Sequence, residues 1–316
     1  MMTALRRRCT LTALPLALVL AAVIAAGCGA PGRDPVPPLP GVSGRLGADP
    51  VLSIPAGKPP GRLIVHTVIP GHGPVVRPGD YVLFNVQGRV WAGHRKIVDS
   101  YASRQPQGLP LRAGLRAWRH LAGQRVGSRV LMVVPPRDGF GRAGDPQVKV
   151  TGTDTLVFVF DLLATMPPTA RATGTVLPYH PGPGLPRLTG SSGGPAAISV
   201  PHGARPPSGL VRHLLIRGHG PPVRPGQTVV VQDTGVVWRT GQIFDSSWAR
   251  GFPESFRLGA GQVIPGWEKG LDGLSAGSRV LLVIPARLGY GQAGDAPDVR
   301  PRDTLVFVID ILAAVP

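Results

Sequence analysis

The chain has 316 residues, enough for two domains of ordinary size. Its net charge of +17 is carried by scattered basic residues, with no aromatic platform motif and no zinc-finger spacing, which argues against specific nucleic-acid binding. The 44 Gly and 37 Pro suggest turn-dense β domains joined by extended segments, and two cysteines confined to the first 28 residues exclude a disulfide-stapled fold.

Arg6, Arg7 and Arg8 precede a mainly apolar run from Leu11 to Ala26, interrupted by Pro15. That run is short for a transmembrane helix, and a positive n-region before a brief apolar stretch reads as a secretory signal over residues 1–27. The ending Ala25-Ala26-Gly27-Cys28 resembles the lipobox of bacterial lipoproteins. The resemblance implies that Cys28 becomes the acylated first residue of the mature chain, anchored to a lipid bilayer on the outer face of the cell membrane. Residues 28–60, rich in Pro and Gly, read as an extended tether.

Two matching halves follow. Leu63-Ile64-Val65-His66, Gly71-His72-Gly73 and Val76-Arg77-Pro78-Gly79 return as Leu210-Val211-Arg212-His213, Gly218-His219-Gly220 and Val223-Arg224-Pro225-Gly226. Gly127-Ser128-Arg129-Val130-Leu131 returns as Gly277-Ser278-Arg279-Val280-Leu281, and Asp154-Thr155-Leu156-Val157-Phe158 as Asp303-Thr304-Leu305-Val306-Phe307. The offset stays between 147 residues (Leu63 to Leu210) and 150 (Gly127 to Gly277), which marks a duplicated domain over 61–165 and 208–316. The stretch 166–207 between them has many prolines and no strand of convincing length, so it reads as a linker. In the second half, Val211–Ile216, Thr228–Thr234, Val280–Ile284 and Thr304–Leu312 read as strands, and Pro265–Gly273 as a short helix with Pro at its start and Gly at its end. Strands around one short helix make an α+β domain.

Across almost its whole length the second half resembles the FKBP-type peptidyl-prolyl isomerases. The segments that carry this stand in family order: Arg224-Pro225-Gly226-Gln227, Thr234-Gly235, Phe244-Asp245-Ser246-Ser247 and Phe256-Arg257-Leu258-Gly259. Gln262-Val263-Ile264-Pro265-Gly266-Trp267-Glu268-Lys269-Gly270, Gly289-Tyr290-Gly291 and Thr304-Leu305-Val306-Phe307 complete the set. The resemblance implies two FKBP-like domains, each a twisted antiparallel sheet wrapped around a short helix. It implies an isomerase that assists the folding of exported, proline-containing polypeptides at the cell surface, with a macrolide as a further ligand.

Such chemistry needs neither nucleophile, metal nor cofactor. Rotation about an X–Pro bond breaks amide resonance against a barrier of about 18–20 kcal/mol. A dry pocket that favours the twisted amide over the planar one is sufficient, because only differential stabilisation accelerates. By resemblance, Trp267 forms the pocket floor with Phe244 and Phe307 as walls and Val263 beside them. The Ile264 N–H and the Tyr290 hydroxyl hold the peptide's carbonyls, and Asp245 sits at the rim near Arg250. The second half departs from the family where Asp233 replaces a common pocket tyrosine, and at Glu254 and Asp295. These carboxylates are expected to shift peptide preference and weaken macrolide binding.

The first half has changed more. Phe244 and Asp245 answer to Val98 and Asp99, Tyr290 to Phe140, and Phe307 to Phe158. Ala117 falls where Trp267 stands, with Trp118 one place off, so this copy reads as fold retained and activity reduced or lost. The competing reading of the whole chain is a non-catalytic, chaperone-like lipoprotein whose domains grip apolar peptide segments.

Overall fold

The computed structural model describes residues 38–189 and 194–316, which belong to one compact unit. The signal segment, Cys28 and the start of the tether lie outside the described residues. Among the described residues no helix is long and apolar enough to cross a membrane.

In chain order the first copy contains β1 (Gly41–Ser43), β2 (Val51–Ser53), β3 (Ile64–Ile69), β4 (Tyr81–Val90), β5 (Lys96–Asp99), α1 (Ser100–Ser103), β6 (Gln107–Pro110), β7 (Arg129–Val134) and β8 (Leu156–Met166). The second contains β9 (Gly174–Val176), β10 (Arg187–Thr189), β11 (Ala197–Ser199), β12 (Val211–Gly218), β13 (Thr228–Val237), β14 (Ile243–Ser246), α2 (Ser247–Arg250), β15 (Glu254–Arg257), α3 (Pro265–Leu271), β16 (Arg279–Ile284) and β17 (Leu305–Val315). The first sheet runs β3-β7-β8-β4-β5, and the second β9-β12-β16-β17-β13-β14, with β6 and β15 pairing the remaining length of β4 and β13. Every ladder is antiparallel. Two α+β domains of the same topology result.

The inner face of the second sheet wraps α3. Val280, Leu282, Ile284, Leu305, Phe307 and Ile309 point towards Trp267 and Leu271. Two glycines let the helix come close: a Cβ on Gly266 would stand 2.4 Å from Ile284 Cγ2, and one on Gly270 2.6 Å from Leu282 Cδ1.

The outer faces are covered as well, by segments that read from sequence as free tether and linker. The hairpin β1–β2 lies over Leu131, Val133, Val157 and Val159, with Val42, Leu52 and Ile54 packed against them. The hairpin β10–β11 lies likewise over Leu281, Val283, Val306 and Val308, bringing Leu188, Ile198 and Tyr179. Strand β9 adds a further edge to the second sheet by pairing with β12. Residues 38–60, 174–189 and 194–207 are thus structural parts of the two copies, and the duplicated unit begins about twenty residues earlier than the sequence motifs indicate.

Each hairpin is clamped by a buried ion pair at its sheet. Arg129 makes two 2.7 Å bonds to the Asp161 carboxylate and donates to Ala48 O at 2.7 Å and Gly44 O at 3.0 Å. Arg279 pairs with Asp310 in the same fashion and donates to Gly194 O at 2.9 Å. Trp91 Nε1 and Trp238 Nε1 each reach a carbonyl of the returning chain at 3.0 Å, Gly57 O and Ala204 O respectively.

The copies touch directly. Tyr81, Leu83 and Met166 pack with Val230, Leu312, Ala313 and Val315. Tyr81 Oη donates to Ser255 Oγ at 2.9 Å, and the Arg257 guanidinium to Arg104 O at 2.8 Å. Strands β6 and β15, each at the edge of its own sheet, lie alongside one another here.

Candidate functional site

A cavity of about 360 Å³ opens on the second copy between α3 and the sheet's inner face. Trp267, Ile264 and Val263 come from the helix and its entry, Phe307 from β17, and Tyr290 from the loop after β16. Asp245, Glu254, Gly261 and Gln262 complete the lining.

Trp267 is buried, its ring edge-on to Phe307 at 5.1 Å and tilted against Phe256 at 5.5 Å. Phe244 stands behind Phe307 rather than in the lining, with centroids 5.4 Å apart at 76°. Such edge-to-face pairs hold rings in place as well as burying them. A wall built this way needs room, and Gly235 supplies it: a Cβ there would stand 2.5 Å from Phe307 Cε1 and 3.1 Å from Phe244 Cε1.

Ile264 is the N-cap of α3, and Pro265 at the first helical position has no N–H to satisfy. The Ile264 N–H donates to no group among the described residues, so it is available to a ligand carbonyl. Burial, with the Asp295 carboxylate next in weight, holds the Tyr290 phenol above its ordinary range. It therefore stays protonated at neutral pH.

The rim is a charge cluster centred on Arg250, in the last turn of α2. Its guanidinium pairs with Asp245, with Glu254 at 2.9 Å, and at 3.6 Å with Asp233. Arg250 thus holds the rim carboxylates and is not itself a lining residue. Three carboxylates facing one cation leave the cluster with surplus negative charge. Burial and repulsion from Asp245 raise Asp233 to about 6, against the pull of Arg250 and Ser247. Burial and Asp233 raise Glu254 to about 7.

A carboxylate raised in the folded state stabilises the fold fully below its unfolded pKa, and that contribution is lost as pH rises through the folded value. For Asp233, fully buried, the window runs from about pH 4 to about pH 6, with an upper bound of roughly 3 kcal/mol at 1.36 kcal/mol per unit. The melting temperature is therefore expected to rise as pH falls from about 7 to about 4, with Glu254 acting in the upper part of that range and Asp233 below about 6. Asp233→Asn should raise it at pH 8 and flatten the profile, as thermal melts across that range will register.

The first copy has no equivalent rim. In the ladders Gly88 faces Val98, whereas Gly235 faces Asp245, so Val98 occupies the place of Asp245. Asp99, expected there from the matching of the two halves, instead caps α1 by accepting from Tyr101 N and Ala102 N. Its counterpart is Ser246, the cap of α2. Phe84 and Phe160 stand at the register positions of Val231 and Ile309 and fill the space above the sheet. Trp118 meets both edge-on, at 5.8 and 5.6 Å, and also Phe158 at 5.7 Å. The segment Arg116–Leu121 is a 3₁₀ helix, wound tighter than α3, and it carries Trp118 rather than Ala117 onto the aromatic cluster.

Comparison with known families supports the duplication. The family description "FKBP-type peptidyl-prolyl cis-trans isomerase" matches residues 73–163 and again 220–312. The FK506-binding protein of Streptomyces anulatus is 46% identical over 112 residues, covering 35% of this chain and 90% of that one. A probable FK506-binding protein of Corynebacterium glutamicum is 38% identical over 117 residues, 37% of this chain and 96% of that one. The crystal structure of FkpA from Escherichia coli aligns at 40% identity over 37% of this chain and 53% of its own, with a TM-score of 0.32. With both halves matched and the segments in family order, the chain belongs to the FKBP-type peptidyl-prolyl cis-trans isomerases, an enzyme family whose domain it carries twice.

Proposed function

We propose that turnover resides in the second copy, where the proline ring of a substrate rests on Trp267 against Phe307. The Ile264 N–H and the Tyr290 hydroxyl hold the flanking carbonyls, and Asp245 faces the amide as it twists. The single observation that carries this reading is the shared cavity, which gathers those five residues from separate segments of the chain. Trp267 and Phe307 present apolar ring faces to it, against which a twisted amide, having lost resonance and much of its dipole, is better tolerated than a planar one. Each 1.36 kcal/mol of that preference is worth about tenfold in rate.

The reading extends to location. Cleavage after residue 27 and acylation of Cys28 would place the enzyme on the outer face of the membrane, acting on exported chains whose X–Pro steps limit folding.

A proline tetrapeptide assay on the full chain tests the first part. Asp245→Val is expected to lower kcat/KM at least about tenfold, while Val98→Ala in the first copy leaves it unchanged. Equal rates for wild type and Asp245→Val would overturn the assignment. For the anchor, Cys28→Ser should move the protein from the membrane fraction to the soluble one; retention would refute lipidation.

A further inference from the structure

The cavity of the second copy does not end at its own domain. Glu254, Gln262 and Val263 also border a neighbouring groove of about 480 Å³, whose opposite bank is Gln105, Pro106, Gln107 and Gly108 of the first copy. The floor between the banks is Ser255 and Phe256 of β15.

The two banks are held in register. The hydrogen bonds from Tyr81 to Ser255 and from Arg257 to Arg104 lie at this edge, and Arg112 sits 6.0 Å over the Phe252 ring. Close approach depends on Gly108. A Cβ there would stand 2.1 Å from Tyr81 Oη and 2.6 Å from Ser255 Oγ.

The chemistry of the lining identifies its occupant. Apart from Glu254 at the cavity end, the polar side chains are uncharged amides and a hydroxyl: Gln105, Gln107, Gln262 and Ser255. Gln262 Oε1 already accepts from Arg257 N, Gln107 Nε2 donates to Gln105 O and Ser255 Oγ accepts from Tyr81. The remaining amide and hydroxyl groups still both donate and accept, which suits the N–H and C=O groups of a polypeptide main chain. The groove shares three lining residues with the catalytic cavity, so a chain whose proline sits in that cavity passes into it without a break.

We propose that the first copy supplies a substrate subsite to the second, with residues 105–108 binding the extended main chain that flanks the proline. This rests on the assignment of the proline to the cavity. The degenerate copy thereby selects long, unfolded substrates over short peptides, without any catalysis of its own.

The test compares a proline tetrapeptide with peptides of about twelve residues, roughly 40 Å when extended. The longer peptides carry their extra residues on the N-terminal or the C-terminal side. All are assayed with the full chain as wild type, as the double variant Gln105→Ala/Gln107→Ala, and as Gln107→Trp, which fills the groove from an exposed position. The expected result is a KM for one of the longer peptides at least about fivefold below that for the tetrapeptide in wild type, an advantage of roughly 1 kcal/mol. Both variants should abolish that advantage and leave tetrapeptide turnover within about twofold. Unchanged KM values for both longer peptides in both variants would overturn the subsite. Failure of the cavity assignment has a different signature: Asp245→Val would leave all substrates unaffected, while Gln107→Trp still weakened binding of the longer peptide, measured directly by fluorescence anisotropy.

Discussion

Replacing Arg279 by methionine is expected to lower the unfolding free energy by about 3–5 kcal/mol, the usual cost of stranding one member of a buried ion pair. Asp310 is almost entirely enclosed, and its carboxylate is shared between the Arg279 guanidinium and the Ala172 N–H. Without the cation, the Ala172 N–H is the one donor left to the buried carboxylate among the described residues. Methionine fills much the same space, so packing loss contributes little and the penalty is electrostatic. Removing both partners gives the opposite result: Arg279→Met with Asp310→Leu should recover most of the loss, since apolar pairs of similar volume often replace buried ion pairs at no net cost. Denaturant unfolding of the three proteins measures this. Limited proteolysis between Arg187 and Ser199 reports the second consequence, release of the hairpin that Arg279 holds through Gly194 O. A loss below about 1 kcal/mol would show that the pair is wetter than its surroundings imply.

Gly235→Ala is expected to reduce kcat/KM about a hundredfold, the scale of effect that a 1 Å displacement of a reacting group produces. The added methyl carbon collides with Phe307, a rigid ring locked edge-on between Trp267 and Phe244, so the wall must move as a unit. Overpacking also costs stability, about 1–3 kcal/mol. Gly88→Ala provides the matched comparison, because a Cβ there meets Phe158 and Val98, both at 2.7 Å. The two variants should melt at similarly lowered temperatures, yet only Gly235→Ala should slow isomerisation. If Gly88→Ala impaired the tetrapeptide rate as strongly, turnover would have to be divided between the copies.

The fold was legible because its strands are long apolar runs and because one half repeats the other in order. The residues of the cavity were legible only as a set, through the family order of Asp245, Val263 to Trp267, Tyr290 and Phe307. That resemblance also put Phe244 in the wall, where it instead backs Phe307. Three features escaped. Asp99 looked like the counterpart of Asp245 from the matching of the two halves. A β-bulge after Gly88 and another after Gly235 fix the register, and a shift of one residue sends a side chain to the other face. The hairpins over the sheets are only three residues per strand, too short for any periodicity to appear. Their signature lay elsewhere, in β7 and β16. A half-wet antiparallel strand alternates apolar with polar residues, but Arg129–Val134 and Arg279–Ile284 do not alternate, and every residue in them is buried. Unbroken apolar strands in an antiparallel sheet signal that something lies on both sides. The groove between the copies left no trace in the sequence, because its banks are polar loop and edge residues that only tertiary packing brings together.

The clamped hairpins also decide how the molecule can be divided. A fragment trimmed to the recognisable repeat would begin near residue 208 and leave behind the roof over Trp238, Leu281, Val283, Val306 and Val308. Those side chains would then form a sticky plate exposed to solvent, and Arg279 would lose a backbone partner. The smallest self-sufficient piece therefore starts no later than Gly174, so what passes for a spacer travels with the second copy and leaves little free rope between the two.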